Sequence, residues 1–143
     1  MMVDRARIES LLPHTDSMCL IDSVEAFDAL LIVCQSRQHR SAANPLRRHG
    51  RLSSVHAIEF AAQAAALHGA LSAPDATLVR TGMLVSVGNC ELHVTDLDTL
   101  TGSLRIEARR SAATASLTGY EFTVSSPGGP IASGRLGVYG ETR

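Results

Sequence analysis

The run from Ser54 to Leu71, Ser-Val-His-Ala-Ile-Glu-Phe-Ala-Ala-Gln-Ala-Ala-Ala-Leu-His-Gly-Ala-Leu, is apolar nearly all the way round when wound as a helix. Ser53 or Ser54 caps it, and Gly69, Ser72 and Pro74 supply stop signals. A helix without a wet face must be covered on most sides. The rest of the chain reads largely as strand, so the cover has to be a sheet that wraps the helix. One carboxylate, Glu59, interrupts the run, and an ionised carboxylate is costly to remove from water unless something offsets the cost. A role in catalysis is the reading that best accounts for it.

At 143 residues and 45% apolar, the chain suits one domain, residues 1–143, and is too short for two comfortable ones. Thirteen basic and fourteen acidic residues leave a net charge of −1, which gives no electrostatic reason to expect binding to nucleic acid or to a membrane surface. No apolar stretch is read as a membrane span of roughly 18 residues, and the first ten residues lack the plan of a signal peptide, so the expected location is the cytoplasm. Every basic residue is arginine. Without lysine, a Schiff-base mechanism, a pyridoxal phosphate enzyme and a P-loop nucleotide site are excluded. Cys19, Cys34 and Cys90 are odd in number, far apart and set among apolar residues, which points to buried reduced thiols.

Along the chain, Asp4 to Leu12 suggests a short capped helix ended by Pro13. Met18 to Glu25 and Ala29 to Ser36 read as the two strands of a hairpin, and His39 to Leu52 as a long irregular loop carrying four arginines. After the helix come four β-like segments, Leu78 to Val94 (broken near Gly88), Gly102 to Arg110, Ala115 to Ser125 and Ile131 to Tyr139, an expected antiparallel meander. The whole is an α+β, hot-dog arrangement: a curved antiparallel sheet wrapped around a long central helix.

On the helix, His56, Glu59 and Gln63 fall at i, i+3 and i+7 and form a polar stripe, in which Gln63 can hydrogen-bond Glu59 while apolar surroundings raise the carboxyl's pKa. A base to accompany this acid should be a histidine. His14, His68 and His93 read as structural or surface groups, which leaves His39 and His49 in the loop and His56 on the helix. His56 and Glu59 offer a metal two ligands at best, so no metal is expected. The free amides where the helix begins, around Ser54 and Val55, are a natural seat for a carbonyl oxygen.

These residues resemble a family. Leu12-Pro13-His14, Met18-Cys-Leu-Ile-Asp22, His39, Asn44-Pro45 and Ile58-Glu59-Phe-Ala-Ala-Gln63 are similar to the β-hydroxyacyl-[acyl carrier protein] dehydratases of the FabZ and FabA type, over nearly the whole chain. The likeness is closest to the divergent branch associated with aryl-polyene biosynthesis. It implies dimers or higher hot-dog oligomers, or a hetero-oligomer with a related dehydratase. It also implies sites at the subunit interface, no bound cofactor, and a substrate carried on the phosphopantetheine of an acyl carrier protein.

By position, His39 matches the catalytic base and Glu59 the acid. The loop is longer than the family pattern, so His49 is the alternative base if the extra residues precede Asn44, and Ser54 stands where a glycine is usual. The acyl chain is expected along Ile58, Ala62, Gln63 and Met83, with the thioester carbonyl at Ser54 and Val55. The carrier is expected to dock on Arg40, Arg47, Arg48 and Arg51. Two other functions fit the same fold, an acyl thioesterase and a non-catalytic partner of an active dehydratase.

Overall fold

The computed structural model describes residues 3–12, 18–72, 79–114 and 117–142, without the side chains of 79–85 and 140–142. Asp4 caps α1 (Arg5–Leu11) by accepting from the Arg7 amide, as its sequence position predicts. Strands β1 (Ser23–Phe27) and β2 (Leu31–Ser36) form the hairpin, and Asp28 closes its turn by accepting from the amides of Leu30 and Leu31. A single turn of tighter 3-10 helix, Ser54–His56, capped by Ser53, leads into α2 (Ala57–Ser72). The chain then supplies β3 (Val79–Leu92), β4 (Leu104–Ala113), β5 (Leu117–Ser126) and β6 (Gly129–Thr142). Pro13, His14, Pro74, Leu78 and Ala115, which figured in the sequence reading, lie outside the described residues.

All six strands join one antiparallel sheet in the order β1-β2-β4-β5-β6-β3, and α2 packs against its inner face. Inward side chains alternate along the strands, Leu104, Ile106 and Ala108 on β4 and Tyr120, Phe122 and Val124 on β5, all buried against the helix. The helix returns Ala57, Phe60, Ala61, Ala64, Ala65 and Leu67 to the same core. Small alanines let the sheet approach α2 closely. The hot-dog arrangement expected from the element pattern is therefore the one observed.

Three expectations are corrected. The last four strands are not a simple meander: only β4, β5 and β6 follow one another, while β3 lies beyond β6 because β2 occupies the other side of β4. The break near Gly88 is a bulge inside one continuous strand, with Asn89 at φ 50°, and β4 runs on to Ala113. The first strand begins at Ser23 and not at Met18.

The reason for the late start is that side chains replace the sheet ladder. Gln63, 2% exposed, accepts from the Leu20 amide at 2.8 Å and donates to the Met18 carbonyl at 2.8 Å. Ser36 donates to the Leu20 carbonyl, and Arg5 donates to the carbonyls of Cys19 and Ile21. With their backbone groups satisfied in this way, residues 18–21 tether the start of β1 to the helix, and Asp22 begins the pairing with β2 by donating its amide to the Gln35 carbonyl.

Among the cysteines, Cys19 and Cys34 are buried and free, and burial pushes the Cys34 thiol up to about 12; Cys90 corrects the expectation by being exposed. His68 is fully buried, donating through Nε2 to the Asp28 carbonyl (2.9 Å) and accepting at Nδ1 from the Tyr120 hydroxyl (2.7 Å). It joins the C-terminal half of α2 to β5 and to the hairpin turn, the structural role its position suggested.

Two tests follow from this packing. Gln63→Leu keeps the volume but strands the buried Leu20 amide and the part-buried Met18 carbonyl, so urea unfolding should show a loss of about 2 kcal/mol. Burial lowers the pKa of His68, and of His39, below the ordinary 6.5. The unfolded chain then binds more protons in acid: the stabilisation is complete above the unfolded value and is lost as pH falls through the lowered folded values. Urea midpoints should be flat above about pH 7 and fall below about pH 6.5, less steeply in His68→Gln. An unchanged slope in that variant would remove His68 from the account.

Candidate active site

His39 lies in a one-turn 3-10 helix, Gln38–Arg40, directly after β2. The loop is held from below by side chains: Asp22 accepts from the Arg37 amide (2.6 Å) and from the Gln38 side chain (2.7 Å). Asn44, also buried, donates to the Gln38 carbonyl at 2.8 Å and accepts from the Leu46 amide at 3.0 Å. Asn44-Pro45 therefore closes the chain back onto the turn that carries His39.

The ring of His39 is 0% exposed, and its Nε2 is 3.1 Å from the Leu100 carbonyl. A carbonyl can only accept, so Nε2 carries the proton and Nδ1 keeps its lone pair. That Nδ1 is buried without a hydrogen-bond partner. Burial is the main cause of the ring's lowered pKa, followed against it by the Leu100 bond, then by the cations Arg40 and Arg47. The group is a neutral imidazole with one locked nitrogen and one free.

His49, the alternative, occupies a different environment. It sits exposed at φ 54° beside Gly50 at φ 78°, the two central residues of a tight turn closed by paired bonds between Arg48 and Arg51. Two successive left-handed residues give the kind of turn that joins paired strands. His39 and His49 thus stand in different settings, one buried and one on an exposed turn.

Glu59 stands in the first turn of α2, half-buried, and no described residue forms an ion pair or hydrogen bond with it. The expected Gln63 to Glu59 bond is not made, because both functions of the Gln63 amide are used on residues 18 and 20. The partly exposed stripe is Val55, His56, Ile58, Glu59 and Ala62, so that His56 and Glu59 stay on it as expected while Gln63 is buried. His39 and Glu59 do not hydrogen-bond within one chain. Met83 lies in β3 opposite Tyr139, and its side chain is outside the description.

The carbonyl seat is also corrected. The Ser54 amide is taken by the Thr95 carbonyl at 2.9 Å, because Ser53 forms a short bridge with Asp96 and draws its neighbour in. The Val55 amide has only the Ser53 hydroxyl, at a long 3.3 Å.

The four arginines are not equivalent. Arg47 donates to the carbonyls of Ser41 (2.7 Å), Gly50 (2.8 Å) and His39 (3.0 Å), which commits it to holding the loop and not to a docking surface. Arg51 pairs with Asp96, Arg40 donates to the Leu100 carbonyl at 3.0 Å, and Arg48 is exposed. Sequence reasoning missed the triple bond of Arg47, since nothing in an arginine-rich loop marks which guanidinium turns inward.

Residues 6–142 match the ApeP-like family, described as ApeP dehydratase. No curated protein matches the chain. Among solved structures, it is similar to the dehydratase heterocomplex ApeI:P from Xenorhabdus doucetiae, with a TM-score of 0.79 and 23% identity over 94% of this chain and 90% of that one. AziG of S. sahachiroi gives a TM-score of 0.64 at 18% identity, over 91% of this chain and 97% of that one. The thioesterase HI1161 of Haemophilus influenzae gives a TM-score of 0.67 at 13% identity, over 97% and 91%.

Arg47→Met should lower stability by about 2–3 kcal/mol, since charge-assisted bonds to three carbonyls are lost together. Hydrogen exchange should quicken at amides 39–51 while α2 stays protected; uniform exchange would count against a local staple. By its match across residues 6–142, the chain belongs to the ApeP-like dehydratase family.

Proposed function

We propose that the chain works as a dehydratase subunit on β-hydroxyacyl thioesters, with each site assembled from two subunits. The observation that carries this is His39, whose Nε2 is anchored on Leu100 while a buried Nδ1 stays free to take a proton. The second support is Glu59, which has no partner within its own chain and lies on the part of α2 that the sheet leaves open.

In this mechanism Nδ1 of His39 removes the proton alpha to the thioester, and the electron pair forms the carbon-carbon double bond. The bond to the β-oxygen breaks as Glu59 of a second subunit, carrying a proton, delivers it to the departing hydroxyl. Water and a trans-2-enoyl thioester result, and the proton on His39 returns to Glu59 by way of solvent. The Val55 amide is the available donor for the thioester carbonyl, because a serine hydroxyl at 3.3 Å can rotate away from it. The apolar stripe of Val55, Ile58 and Ala62 would receive the acyl chain.

The substrate is proposed to arrive on the phosphopantetheine of an acyl carrier protein, whose acidic surface would meet Arg48 and the outer face of Arg40 and Arg51. The Xenorhabdus structure is a heterocomplex, so the second subunit is proposed to be a related hot-dog dehydratase. The same observation supports a second reading, in which this chain mainly stabilises an active partner.

Mass spectrometry of a carrier-bound β-hydroxyacyl thioester, incubated with the chain alone and with a second hot-dog subunit, separates the readings. Loss of water supports dehydration, free acid would show a thioesterase, and conversion that needs only the partner's acid and base would show a scaffold. Glu59→Gln should cut dehydration by at least about a hundredfold with an unchanged circular dichroism spectrum. Unaltered turnover in that variant would overturn the assignment.

A further inference from the structure

One carbonyl oxygen is shared between the proposed base and a permanent cation. His39 Nε2 and Arg40 Nη1 both donate to Leu100, at 3.1 and 3.0 Å. Two lone pairs accommodate two donors, but the guanidinium polarises the same oxygen that would have to solvate an imidazolium. A second cation, Arg47, sits on the carbonyl of His39 itself at 3.0 Å. The anion that acts on the ring is Asp22, and its oxygens already accept from Arg5, the Gln38 side chain and the Arg37 amide. Positive charge therefore dominates around a ring that must become positive to act.

We propose that Arg40 is a positioning residue for His39: by sharing the Leu100 carbonyl it holds the ring with Nδ1 free and opposes a lasting imidazolium. This rests on the reading of His39 as the base. The direction of the ring's pKa agrees, since the charges of Arg40 and Arg47 reinforce burial against the Leu100 bond and Asp22. Functionally, the base stays unprotonated in mildly acidic medium and readily gives up the proton it has taken from substrate. The role differs from that of Arg47, which grips the loop's own carbonyls and makes no bond to Leu100.

The test is nitrogen-15 NMR titration of histidine-labelled protein, with the His39 signals identified by their absence in His39→Gln. Arg40 is exposed, so Arg40→Gln should fold, which its circular dichroism verifies. That variant should raise the His39 midpoint by roughly half a pH unit, and Arg40→Lys, which keeps the charge, by much less. Raising salt from about 0.05 to 0.5 M should raise the wild-type midpoint more than that of Arg40→Gln, in which only Arg47 is left to screen. The acid limb of kcat/KM should shift with the ring.

Equal midpoints in wild type and Arg40→Gln overturn the proposal even if the chain dehydrates substrate. A shifted midpoint in a chain without dehydratase activity supports the coupling between Arg40 and His39 and removes the catalytic reading instead.

Discussion

The amide of Gln63 is the point on which the arrangement turns. Buried on α2, it accepts one backbone amide and donates to one backbone carbonyl of residues 18–20, and so fastens the approach to β1 onto the central helix. Without that bond the segment would have to find its partners in the sheet or in water, and an orphaned amide and carbonyl would be left in the core. Residues 19–22 are then continued by Arg5, Ser36 and Asp22. Asp22 in turn receives Arg37 and Gln38, the two residues before His39. A chain of hydrogen bonds thus runs from the helix to the loop that presents the candidate base.

That loop has an unusual division of labour. Its backbone carbonyls are gathered by one guanidinium, Arg47, and its amide side chain, Asn44, closes onto the turn before His39. The loop from Leu97 to Leu100 meets it from the other side: Leu97 bonds Leu52, Asp98 accepts the Leu52 amide, and Leu100 receives His39 and Arg40. A long connection is ordered here by polar bonds together with a few apolar anchors, Leu46 and Leu52 from the connection and Leu97 and Leu100 from the facing loop. The same bonds tie Nε2 of the His39 ring to Leu100 and leave Nδ1 without a hydrogen bond among the described residues.

A carboxylate on the open stripe of α2 fits less well with a single chain than with an assembly. Val55, 46% exposed, and half-buried Ile58 and Ala62 surround Glu59 with apolar surface that water covers in the isolated chain. The proposed acid and base belong to different elements, the helix and the loop, with no bond between them in one copy. The ApeP-like family assignment makes this a dehydratase-like protein, and the open stripe around Glu59 is what the proposed pairing of subunits would cover.

Much of this was legible from residue types and spacing. The all-round apolarity of Ser54 to Leu71 forces a wrapped helix, period-two alternation marks β4 to β6, and Asp4 and Ser53 announce their helix starts, because burial and capping are local demands written into local sequence. Glu59 stands out in the sequence as a lone acid in an apolar run, whereas His39, ahead of Asn44-Pro45, is singled out from the other histidines only by the family resemblance. What only the tertiary structure decided were the partners of polar groups with several options. Gln63 turns to a backbone 43 residues away instead of to Glu59, Ser54 gives its amide to Thr95, Arg47 turns inward while Arg48 stays out, and β3 takes the far edge of the sheet. A hydrogen-bonding group of one type is satisfied equally well by many partners, so its choice is set by which of them the folded chain brings within about 3 Å, and no local pattern encodes that.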